Sequence, residues 1–165
     1  AYWTHGVPHG PVRPILISFD KGYASHYPNA LPVLKRLGWV GVENLQVNGL
    51  SSSDGGLADS QIRSLIAAGW ELDTEGLSQP DLTSLSSTEL SANLTSARRT
   101  LRSRYSVNVN WFSYPSGSYD PTVTAAVKAA GFVGAGTSPA TLLADIAAAQ
   151  KDPLPADTAH NPPNA

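Results

Sequence analysis

Asp20 and Lys21 stand side by side at the end of an apolar run, a carboxylate able to take up a proton beside an ammonium able to stabilise negative charge. A second polar stretch carries Asp73, Glu75 and Gln79, and a third runs from Tyr114 through Pro115, Ser116 and Gly117 to Ser118. If Asp20 and Glu75 converge, they could divide acid and base work as paired carboxylates do in glycoside hydrolysis. The plainer reading of Glu75 is a loop residue capping local amides. Lys21 has three readings: an amine turned to solvent, a fixed positive charge between Asp20 and Glu75 that keeps both ionised, or a Schiff-base nucleophile. Nearby carboxylates oppose the last by holding the amine protonated. Tyr114, at the end of its apolar run, could wall a cleft and stack on a sugar ring, while Trp111 and Phe112 read as core. His5, His9, His26 and His160 read as surface residues, with His26 the one near these groups.

These groups need elements to hold them, and the chain alternates short β-type runs with segments of helical period, the pattern of repeated βα units on a parallel sheet. Five units are expected. The first strand spans 15–19, nearly unbroken in apolar residues as when both sheet faces are covered, and its helix runs about 29–37. A strand over 40–47 leads to a helix bearing Ile62, Leu65 and Ile66, stopped by Gly69. A strand over 70–73 is followed by a polar loop and a helix to about Arg104, opened by a Ser86/Glu89 capping box. A strand over 108–112 precedes a helix with Asp120 as N-cap and Pro121 as its first residue. The fifth strand is 132–135, and Ser138 and Pro139 open a last helix bearing Leu142, Leu143 and Ile146. In such sheets ligands lie outside the carboxyl ends of the strands, where Asp20, Lys21, Asn44, Gln46, Asp73, Glu75 and the 114–118 stretch fall. Asn44 and Gln46 interrupt a buried strand and are expected to find internal hydrogen bonds.

A formal net charge of −2 over 165 residues, with both signs scattered, gives no surface for nucleic acid. Arg98, Arg99, Arg102 and Arg104 read as a solvated helix face. The absence of cysteine excludes disulfides and thiolate chemistry. No apolar run is long enough for membrane insertion. Methionine is absent even from position 1, so the chain is expected to be a processed, excised or engineered product, a removed export signal included. One domain is expected over 1–152, with an irregular tail over 153–165.

Three segments resemble the NodB-type polysaccharide deacetylases, carbohydrate esterase family 4. Ile17-Ser18-Phe19-Asp20-Lys21-Gly22-Tyr23 is similar to the family's Phe-Asp-Asp-Gly-Tyr segment. Gly69 to Leu82 looks like its His-bearing loop, and Phe112 to Asp120 like its Tyr-Pro-x-Gly segment. The likeness covers roughly 11–133. It implies a distorted or incomplete (β/α) barrel of about five to six parallel strands, shortened or left as an open sheet, because the family's leading strand and later segments are not found.

The resemblance also assigns roles. Asp20 keeps the family's general base, whereas Lys21 stands in place of a metal-binding Asp, and Glu75 and Gln79 where histidines are expected. No metal and no other cofactor is therefore expected. The implied catalytic set is Asp20, Lys21 and Glu75, with Gln79, Tyr114, Ser116 and Ser118 toward a carbohydrate or another small acetylated ligand. A secreted or cell-envelope location follows from the resemblance, and a monomer or homodimer is expected. Three readings stay open: residual or altered hydrolysis of an acetylated saccharide amide or ester, a pseudoenzyme binding a glycan or protein, and an engineered minimal scaffold.

Overall fold

The structure is a computed structural model that describes residues 16–78 and 81–136. Five strands, β1 (Ser18–Lys21), β2 (Val42–Gln46), β3 (Glu71–Gly76), β4 (Trp111–Ser113) and β5 (Gly134–Gly136), pair in parallel in chain order. Four α-helices alternate with them: α1 (Leu31–Arg36), α2 (Asp59–Ala67), α3 (Ser87–Tyr105) and α4 (Pro121–Ala129). The result is a curled half-barrel with its helices on one face, the incomplete barrel expected from the sequence. The expected helix after Ser138 and the tail lie outside the described residues.

The core lies on the helix-covered face. Leu45, Leu72 and Phe112 project from the strands to meet Leu34, Ile62, Leu65, Leu90, Leu94, Leu101, Val123 and Val127. Burying such side chains contributes about 1.5 to 3 kcal/mol each before entropy is charged against it. The helix starts obey local rules. Ser86 accepts from the Glu89 amide while the Glu89 carboxylate returns to the Ser86 N–H, and Asp120 accepts from Val123 N–H just before Pro121. The Gln61 side chain does the same for the Ala58 N–H at α2.

Three elements differ from expectation. β1 begins at Ser18 and Leu16 is 78% exposed, because β1 is an edge strand among the described residues and lacks the second covering layer. α1 is preceded by a π-helical turn over His26–Ala30, so the expected helix is two pieces. β4 starts at Trp111 because the Asp73 carboxylate, not a strand, takes the amides of Asn110 and Trp111. The arginines of α3 are also not simply solvated: Arg98 donates to the carbonyls of Val109 and Ala130, and Arg104 pairs with Asp59 at 2.9 Å.

Candidate functional site

Register places Asp20, Asn44 and Asp73 in one row across β1, β2 and β3, and Lys21, Leu45 and Thr74 in the next. Paired residues of neighbouring strands share a face and successive ones alternate. The Asp20 row therefore lies opposite the helix-covered face that takes Leu45 and Leu72. The polar group in the middle of this row finds its partner there: Asn44 Nδ2 donates to Asp20 Oδ1 at 2.8 Å. Asn44 is buried and Asp20 exposed, so the amide fixes one oxygen of a carboxylate that stays open to solvent. This is the internal partner the sequence demanded of Asn44.

Asp73 is completely buried. Its Oδ1 accepts from Asn110 and Trp111 N–H, each at 2.9 Å, and stitches β3 to β4 where only Thr74 and Phe112 pair. Among the described residues its Oδ2 has no hydrogen-bond partner. Burial pushes the Asp73 carboxyl up to about 7; the two amides oppose this, and the charge of Glu71 adds to it. Strongly shifted carboxyls cluster at functional sites, and structural networks produce them too.

Glu75 sits where the ladder slips, since Leu45 pairs with Thr74 but Gln46 with Gly76. Thr74 Oγ1 holds this bulge, donating to the Leu45 carbonyl and accepting from Gly76 N–H. Bulges re-aim side chains beside active sites. Glu75 is only 3% exposed, and Gln79 lies outside the described residues.

Lys21 has a φ of 71°, with Gly22 following at 85°, so the chain leaves β1 through two left-handed residues. Gly22 is required there, because a Cβ would meet Leu45 Cδ2 at 2.6 Å. Lys21 lines a cavity of about 300 Å³ with Leu57, Asp59, Leu101 and Tyr105, a group that includes neither Asp20 nor Glu75. The ion pairs among the described residues are His26 with Glu43 and Arg104 with Asp59, and Lys21 is in neither. A left-handed lysine costs about 1 kcal/mol that asparagine largely avoids. Lys21→Asn is expected to raise stability by about 0.5 to 1 kcal/mol in urea unfolding.

Tyr114 is buried against Phe112, with Tyr119 stacked on it at 4.8 Å. The ring of this pair that reaches solvent belongs to Tyr119, 42% exposed. Ser116, left-handed at φ 55°, is exposed in the turn after β4, and Ser118 is half-buried. Two acidic groups were missed by sequence reasoning as site candidates: Asp73, noted only for its position after a strand, and Glu43, not singled out at all. His26 is a correction: its side chain is 15% exposed and its Nδ1 lies 3.0 Å from Glu43, so it is no ordinary surface residue. Among the described residues, no group of three His, Cys, Asp or Glu side chains could hold a metal ion.

A parallel half-barrel with a polar row at its strand ends defines a barrel-type α/β domain. The polysaccharide deacetylase family model matches residues 8–135, and the chain belongs to that family. Among solved structures, the Streptococcus pyogenes deacetylase PplD in complex with acetate is similar at 18% identity and TM-score 0.70, over 81% of this chain and 70% of that one. The putative polysaccharide deacetylase BA0330 from Bacillus anthracis follows at 24% identity and TM-score 0.67, over 74% of this chain and 39% of that one. BA3943, a carbohydrate esterase family 4 pseudoenzyme from Bacillus anthracis, matches at 19% identity and TM-score 0.63, over 73% and 41%. A comparison with curated proteins finds no match.

Proposed function

We propose that this domain carries out residual or altered hydrolysis of an acetylated saccharide, at an amide or ester bond, without a divalent metal. The observation that carries the reading is Asp20, an exposed carboxylate fixed by Asn44 at the carboxyl end of β1. The donor set does not fit a divalent cation: the position beside Asp20 is an ammonium, and Glu75 and Gln79 stand where the resemblance expects imidazoles. Asp20 acts as base, Glu75 as the second acid or base, and Lys21 as positive charge at a distance. Gln79, Ser116 and Ser118 contact the sugar, and Tyr114, expected from the sequence to do so, instead backs the exposed ring of Tyr119. A metal lowers the pKa of attacking water by many units, toward about 7. Losing that raises the barrier by up to about 10 kcal/mol, which makes the rate low. A secreted or envelope location and a monomer or homodimer accompany this reading.

The near-complete burial of Glu75 and Asp73 favours a second reading, a pseudoenzyme that binds a glycan without turnover. A relative of that description exists in BA3943. Acetate release from acetylated chito- and xylo-oligosaccharides separates the two. Slow release that ignores chelator and vanishes in Asp20→Asn is the expected result. Release abolished by chelator, or one tightly held zinc, nickel or cobalt per chain, overturns the metal-free reading. Saturable binding without release supports the pseudoenzyme.

A further inference from the structure

Glu43 shares its register position with Phe19, on the face opposite the Asp20 row, and is 1% exposed. Its two oxygens lie 3.0 and 3.1 Å from His26 Nδ1. Burial pushes the Glu43 carboxyl up, the hydrogen bond and charge of His26 oppose this, Asp20 adds to it, and Gly22 N–H donates to it. A buried carboxylate receiving Nδ1–H fixes the tautomer in which Nε2 carries the lone pair. No described residue hydrogen-bonds Nε2, and the His26 side chain is 15% exposed. Phe19 lies 5.1 Å away, tilted, and Tyr23 stands edge-on at 5.8 Å, so the ring sits between two apolar walls. The turn that holds it is π-helical, a conformation frequent at functional sites.

We propose that His26, oriented by Glu43, is a second catalytic centre that hydrolyses small aryl esters, separate from the saccharide site. A nucleophile hydrogen-bonded to a group that orients it is the recurring signature of covalent catalysis. Nε2 attacks the acyl carbon, the carbon–oxygen bond to the phenol breaks, and the phenolate leaves. The Nδ1 proton passes toward Glu43, giving a neutral acyl-imidazole. Water then adds to the acyl carbon and the carbon–nitrogen bond breaks, the carboxylic acid leaves, Nδ1 takes back the proton held by Glu43, and the second proton of the water goes to solvent. The substrate class follows from the surroundings. The titratable groups against the ring among the described residues are Glu43 from β2 and Tyr23 from the loop, with Asp20 acting on Glu43, and nothing among them is placed to protonate a leaving group. Only esters of acidic alcohols such as phenols can therefore depart, and the aromatic walls suit an aryl ring.

p-Nitrophenyl acetate is the probe, with wild type, His26→Gln, Glu43→Gln and Glu43→Asp compared at matched concentration after circular dichroism shows each folded. His5, His9 and His160 remain in every variant and supply the background. His26→Gln is expected to lower the second-order rate constant tenfold or more, with chelator having no effect. Glu43→Gln is expected to lower the rate too, and Glu43→Asp to lower it less, because a carboxylate still receives Nδ1–H. Equal rates in wild type and His26→Gln overturn the proposal. So does a wild-type rate no greater than that of N-acetylhistidine amide at the same imidazole concentration. A rate unchanged in Glu43→Gln, or equally low in Glu43→Gln and Glu43→Asp, overturns the role given to Glu43.

Discussion

Asp73→Asn should make the domain more stable at pH 8 and change nothing at pH 4. The carboxyl is raised from 3.8 to about 7 in the folded chain by burial, so the folded state keeps its proton over a range where the unfolded chain has lost it. A group shifted this way contributes its full stability below the unfolded value, and that contribution drains away as pH rises through the folded one. At about 1.4 kcal/mol per pH unit the window holds about 4 kcal/mol, an order-of-magnitude figure. Asparagine keeps an oxygen for the amides of Asn110 and Trp111 and carries no charge to bury. Denaturant unfolding of both proteins at pH 4, 6 and 8 is the measurement. Curves that diverge with pH are expected, and curves that stay parallel would refute an ionisable Asp73 at the β3–β4 seam.

Phe112→Ala should destabilise the domain by about 3 to 5 kcal/mol, the range for truncating a fully buried aromatic ring. The ring is 1% exposed, touches Tyr114 and Phe132, and belongs to the residue through which β4 pairs with Thr74 of β3. Its loss removes the backing of Tyr114 and hence of the stacked Tyr119. Near-ultraviolet circular dichroism should lose tyrosine intensity along with the drop in unfolding midpoint. A change below about 1 kcal/mol would mean that the neighbours collapse into the space, a cost far under the usual cavity penalty.

The βα alternation was legible because apolar period and caps are local: Ser86 with Glu89, and Asp120 with Pro121, mark helix starts that the structure keeps. The polar residues at the strand ends were legible as candidates because any parallel sheet gathers them there. What sequence did not reveal depends on register. His26 meets Glu43 only because β1 and β2 pair with Phe19 opposite Glu43, and no spacing along the chain encodes that. The start of β4 was misjudged because Val109 has the right propensity, while the amides that follow it are taken by a carboxylate from β3. The exposure of Leu16 likewise reflects an edge, a property of the sheet and not of the apolar run.

Because the strands are hydrogen-bonded in the order in which they occur, each one docks on the strand laid down immediately before it. No step requires two distant parts of the chain to meet before the intervening ones are in place, so the entropy of closing a loop is met in similar instalments. Such a sheet can lengthen progressively, one βα unit at a time, and its contact order stays low for a parallel topology. Synthesis from the ribosome would deliver the units in the sequence in which they are needed, and α3 could shield the growing edge at β3 before β4 arrives.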